Sequence, residues 1–268
     1  MRGSPAFAGA LVVALALTLA FLALPLVALF VHQPPGRLAS SLTDPAALDA
    51  LSLSLRTTAL TLALTLAVGT PAAYLLSRGF PGRAVVLTLI ELPIVLPPAA
   101  AGIALFAAFG PTGLLGPAIS DAGIRLVLET AGVVVALMFV SAPFYVRGAV
   151  AAFATVDPEL IDASRTLGAG PATTFARVAV PQALPGLAAA AAVSWARALG
   201  EFGATLLFAG SVRGVTQTTP LAIFAFFSSD FDAAVALSAV LVAVAAAILL
   251  AVKLLAASAS TGTAVGAR

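Results

Sequence analysis

An all-α membrane protein with six transmembrane helices is the fold class this sequence predicts. Three observations predict it. Hydrophobic residues make up 61% of the 268 and charged residues only 9%, with a mean hydropathy of +1.13, where soluble domains carry about 25% charged residues. The apolar runs reach about 20 residues, the length a spanning helix needs and twice that of a barrel strand. Ala, Gly, Ser and Thr are frequent within the runs, most clearly at Ala188–Ala192, and small residues let membrane helices pack closely.

The spans are expected at about 6–31, 51–76, 84–109, 131–150, 184–208 and 233–255. The first is too long for the apolar region of a signal peptide and lacks a clear small-residue cleavage site, so it counts as a span. Residues 1–256 read as one transmembrane domain and 257–268, rich in Ser, Thr and Ala, as a disordered tail. Orientation follows from positive charge in short loops. With the N-terminus inside, Arg2, Arg78, Arg83, Arg147, Arg165, Arg177, Lys253 and Arg268 lie inside, against Arg37, Arg56, Arg125 and Arg213 outside. The tight turn Ser77–Arg83 weighs most. Both termini are therefore expected in the cytoplasm.

Absences narrow the chemistry. There is no cysteine, and the one histidine, His32, sits at the end of the first apolar run. Thiolate, disulfide and histidine-based catalytic or metal sites are excluded, and no cofactor is expected on this chain. An aspartyl intramembrane protease would need an Asp in mid-span, and none lies there. The net charge of +2 reflects cytoplasmic arginines facing a lipid bilayer, not nucleic acid. The single lysine, Lys253, follows Val252, so the Gly-Lys-Ser/Thr of a nucleotide-binding P-loop is absent.

The polar island 155–181 interrupts this apolar chain. Asp157 is a candidate N-cap, Pro158 stands at the first helical position and Glu159 in the first turn. Leu160, Ala163, Ser164 and Leu167 recur at helical spacing, and Gly168 and Gly170 follow as stop signals. A short amphipathic helix at the membrane surface suits a groove on another protein; lying flat on lipid is the plainer alternative.

Three ionisable groups lie well inside spans, away from their ends: Glu91, Arg197 and Glu201. Such groups are costly and mark pathways by default. Glu91 precedes Pro93, Pro97 and Pro98, and three prolines in six positions predict a broken helix, tolerated where it lines a cavity or is buried in protein. Arg197 and Glu201, four apart, can pair on one helix face. They are either a self-neutralising pair or part of an anion route.

The island resembles the "EAA" loop of ABC importer permeases. The match is Asp162-Ala163-Ser164, then Gly168, then Val178-Ala-Val180-Pro181, with Asp in place of Glu, Ser in place of the second Ala and Val in place of Leu. Further stretches resemble the molybdate-type permeases and their sulfate and thiosulfate relatives: Leu92–Pro98, Phe109–Gly116, Arg197–Thr205 and Thr216–Ile223. Of these, Gly203-Ala-Thr205 and Gln217–Ile223 look more like the molybdate group. The resemblance implies the transmembrane-domain architecture of type I ABC importers. It also implies an ATPase-coupling loop comprising Asp157, Pro158, Glu159, Leu160, Asp162, Ala163, Ser164, Leu167, Gly168 and Ala169. It further implies a pore made with a second copy of the chain, an ATPase subunit dimer that carries ATP and Mg, and an extracytoplasmic oxyanion-binding protein. The expected cargo is molybdate or tungstate. A sulfate or thiosulfate permease is the near alternative, and an ATP-independent anion transporter, which would not need the 157–168 helix, the distant one.

Overall fold

In the computed structural model, which describes residues 5–31, 34, 36 and 43–265, every regular element is helical. His32, Arg2, Arg37, Arg268 and the last residues of the expected tail lie outside the described residues. Helix α1 covers Pro5–Val31, α2 Pro45–Ser77, α3 Arg83–Val95, α4 Pro98–Phe109, α5 Gly116–Asp121, α6 Thr130–Ala154 and α7 Pro158–Thr166. Helix α8, Pro171–Thr174, runs through a widened turn at Phe175–Ala179 into α9, Val180–Leu199. Helices α10, Gly203–Ala209, α11, Thr219–Ser229, and α12, Phe231–Val265, complete the chain. Among the described residues five helices are long and apolar enough to cross a membrane, or six when α3 and α4 count as one bent span.

Helix α6 is the centre of the bundle. Its principal neighbours are α9 and α2, and 61% of its most apolar window is buried, against none of α1. Small residues set these contacts. A Cβ at Gly148 would lie 2.6 Å from Ala190 Cβ, and one at Gly186 would lie 2.6 Å from Ala152 Cβ, so α6 and α9 touch backbone to backbone. Tyr145 lies over Gly69 and shares a 2.6 Å hydrogen bond with the Thr70 hydroxyl. The largest core cluster forms at the end of the bundle where α2 ends and α7 sits. There Ala73, Leu76, Tyr145, Phe153, Ile161, Ala179 and Leu187 pack together.

The second span begins at Pro45, not Leu51, and two others depart further from their expected boundaries. The fifth begins at Pro171, not Leu184, and ends at Leu199, not Phe208. Its start was hidden because Pro181 reads as a helix breaker. The widened turn before it, where the Val180 amide donates to the Phe175 carbonyl, shifts the hydrogen-bond register and absorbs the donor that Pro181 lacks. Helix α12 continues to Val265, through most of the expected tail. Ala256, Ala257 and Ala259 favour helix, and no proline follows them.

The span 84–109 is broken as its prolines predict, and the corner is sharp: the chain direction bends by 115° between α3 and α4. Leu96 and Pro97 each precede a proline and are therefore kept out of the helical region. Both are extended, with ψ of 131° and 140°. Pro98 then starts α4 at its first position, where no donor is needed. Pro93 stays inside α3.

Candidate functional site

Two regions gather the predicted residues. The first is α7. Asp157 accepts a 2.9 Å hydrogen bond from the Glu159 amide, Pro158 opens the helix, Glu159 lies in its first turn and Arg165 in its last. The signs suit the helix dipole. The helix ends in a Schellman motif: the Ala169 amide donates to the Ser164 carbonyl at 3.1 Å and the Gly168 amide to the Arg165 carbonyl at 2.9 Å. Gly168 has φ of +85°, which only glycine adopts without strain. Gly170 has φ of −69° and begins α8 rather than ending α7.

The predicted apolar stripe is divided between two faces. Leu160, Ala163 and Leu167 are exposed, Leu167 by 88%. Ser164 turns inward and shares a 3.0 Å hydrogen bond with the buried hydroxyl of Thr174. Ile161, which the pattern missed, is the anchor, 4% exposed among Ala73, Leu76 and Phe153. The spacing places Ile161 and Ser164, three apart, on one face, but does not say which face is buried. Asp157, Pro158, Glu159, Asp162 and Gly168 are exposed and Ala169 is half-buried. Helix α7 is thus seated by one edge, leaving three apolar side chains and the Asp162 carboxylate outward.

The second region lies toward the other end of the bundle, where two helix breaks meet. A Cβ on Gly203 would come within 2.7 Å of Pro98 Cβ, and one on Gly102 within 2.8 Å of Leu207 Cβ. The corner at Leu96–Pro97 therefore abuts the break at Gly200–Phe202. Arg197 and Glu201 pair here at 2.6 Å. Glu201 is not on the fifth helix, as the spacing suggested, but in the break just past its end. Its other oxygen accepts a 2.8 Å hydrogen bond from the Ala204 amide at the start of α10. The carboxylate is 1% exposed and the Arg197 side chain 30%. A buried charge is tolerated when paired and hydrogen-bonded, and Glu201 is both.

Glu91 does not join this cluster. It faces α6, its Oε1 lying 3.8 Å from Nε of Arg147. Counting charges assigned Arg147 to a cytoplasmic flank. It lies inside α6, because the apolar run Gly148–Ala154 carries the helix on past it. Pro97 and Pro98 shape the corner by their rings, the Pro97 carbonyl accepting a 3.0 Å hydrogen bond from the Ala101 amide in the first turn of α4, while Pro93 lies within α3.

Compared with known proteins, residues 61–260 match the family model described as binding-protein-dependent transport system inner membrane component. The chain is 45% identical over 234 residues to the molybdenum transport system permease protein ModB of Mycobacterium tuberculosis, covering 87% of this chain and 88% of that one. It is 35% identical over 195 residues to the molybdate/tungstate transport system permease protein WtpB of Thermococcus kodakarensis, covering 71% and 73%. Among solved structures, it superposes with a TM-score of 0.75 on a chain of a bacterial ABC transporter involved in the import of the acidic polysaccharide alginate. That superposition covers 94% of this chain and 95% of the other, at 17% identity, a likeness of fold alone.

Proposed function

Because this chain belongs to the family of binding-protein-dependent transport system inner membrane components, we propose that it is the pore-forming permease subunit of an ATP-driven importer of molybdate or tungstate. The observation that carries the coupling part of this reading is α7: a helix fixed to its own bundle by Ile161 and Ser164 while Leu160, Ala163 and Leu167 stay exposed. Exposed apolar groups in one row on a capped helix suit a groove on a partner. That partner is an ATPase subunit, which supplies ATP and Mg. Two copies of the permease and two ATPases make the working unit, since a twofold pair is the commonest closed assembly. Both termini and α7 face the cytoplasm, by the positive charge of the Ser77–Arg83 turn. An extracytoplasmic binding protein delivers the oxyanion to the opposite face.

Transport then proceeds by alternating exposure of the cavity between the two copies. The region where the Leu96–Pro97 corner meets Arg197 and Glu201 forms the outer part of the route. Prolines hold the corner by sterics, and Arg197 gives that wall a positive edge. The cargo reading rests on the molybdenum and tungsten relatives, and molybdate, tungstate and sulfate share a tetrahedral dianionic shape.

The test is reconstitution of the chain with its ATPase and binding protein in liposomes. Uptake of molybdate should require ATP and all three components, and excess tungstate should compete better than sulfate. Uptake without the ATPase would overturn the coupling, and preferential loss of uptake to sulfate would overturn the cargo.

A further inference from the structure

Arg147 and Glu91 form a second charged pair that differs from Arg197 and Glu201 in every respect. Their separation of 3.8 Å is too long for a hydrogen bond, and the side chains are 71% and 41% exposed. Yet both lie well inside their helices. Arg147 is seven residues before the end of α6 and Glu91 eight after the start of α3, or about 10 and 12 Å from the helix ends at 1.5 Å per residue. Among the described residues, Glu91 is the one acidic group within 4 Å of Arg147. A guanidinium has five donors, so nearly all of its bonding capacity is unused at a depth where an arginine facing hydrocarbon costs several kcal/mol. Its surroundings must supply anionic oxygens or water. Phe144 and Ala151, one turn to either side on α6, are half-buried and exposed, so this strip of the helix is not covered by its own bundle.

We infer that Arg147 is a binding station for the tetrahedral oxyanion dianion on the half of the route nearest α7, with Glu91 as the counter-ion the passing anion displaces. The inference rests on the permease reading. The planar fork of arginine suits two oxygens on one edge of a tetrahedral anion. Two copies of the chain supply two such cations, which balance the dianion. Glu91 neutralises the empty site and competes for the full one, so the anion is held weakly enough to leave, as conduction through a pore requires. A lipid phosphate offers the same oxygens to an arginine that extends toward the headgroups, and the experiment separates the two.

The chain has no cysteine, so Arg147→Cys places one thiol per permease in an assembled complex whose other subunits have been made cysteine-free. In liposomes, a charged methanethiosulfonate should react with it from the aqueous phase. Molybdate at about ten times its Kd should slow that reaction about tenfold, because only the empty fraction reacts. Uptake should fall about tenfold or more in Arg147→Gln and Arg147→Cys, the loss expected for one charge-assisted bond. A cationic reagent should restore uptake in Arg147→Cys and a neutral one should not. Arg147→Lys should assemble and keep more uptake than Arg147→Gln but less than the unaltered complex, since it retains the charge without the fork, which controls for folding. Glu91→Gln should lower both KM and kcat. Labelling that molybdate leaves unchanged assigns the arginine to lipid and overturns the inference. So does uptake by Arg147→Gln within about twofold of the unaltered complex. No ATP-dependent uptake by the unaltered complex would instead overturn the permease reading itself.

Discussion

The hydroxyls of Ser164 and Thr174 meet at 3.0 Å, joining the inner edge of α7 to the first turn of the long helix that follows it. Motion of α7 is therefore passed directly to α8 and through it to α9, which packs on α6. Removing one partner leaves the other unpaired. Thr174 is 1% exposed, so Ser164→Ala should cost about 1 kcal/mol in unfolding of the purified chain. Thr174→Val should cost a similar amount, and the two should be non-additive in a double-mutant cycle. Full additivity would mean the bond is absent in the membrane.

At Gly168 the backbone and the available space pull apart. Its φ is +85°, but a Cβ there would meet nothing within 4 Å. Strain alone then sets the cost, about 1 kcal/mol for alanine. Uptake should fall in the order Gly, Asn, Ala, Leu, because asparagine tolerates positive φ. If Gly168→Asn is as inactive as Gly168→Leu, close approach of the ATPase is the reason, not the backbone.

Leu167 and Ile161 should fail in opposite ways. Ile161→Ala leaves a hole in the largest core cluster and should destabilise the chain by about 2–4 kcal/mol. Leu167→Asp removes a side chain that is 88% exposed. It should leave thermal stability unchanged while abolishing co-purification of the ATPase. Equal co-purification by Leu167→Asp would place the docking surface elsewhere.

For Arg197 and Glu201, the bond from Ala204 decides the outcome. Glu201→Leu strands a half-buried cation and an amide, and should cost about 3 kcal/mol. Glu201→Gln keeps an acceptor for Ala204 and should be milder. Apolar replacement of both residues should still be less stable than the Arg197→Gln/Glu201→Gln pair. Equal stability of the two double variants, measured by thermal unfolding in detergent, would remove the capping role.

Much of this was legible in the sequence. The caps of α7 are local signals, Asp157-Pro158 at one end and Gly168 at the other, and each does what its chemistry dictates. The corner in the third span follows from Pro97 and Pro98, each of which keeps the residue before it extended. What escaped depended on contacts distant in sequence or on a change of helical register. Pro181 could not be read as helical without the widened turn before it. Ile161 could not be separated from Leu160 without knowing which edge of α7 meets Phe153. Arg147 was assigned to a flank because charge counting fixes the side of the membrane and not the depth.

The corner at Leu96 and Pro97 has a consequence for movement. Its angle is set by collisions between each residue and the proline ring after it, not by hydrogen bonds that water or a ligand could replace. It is a fixed elbow and not a hinge. Opening and closing of the route must therefore carry α3 and α4 together as one angled piece, pivoting at the Ser77–Arg83 turn, where Gly79 and Gly82 both have positive φ, and at the Gly110–Gly116 connection beyond α4.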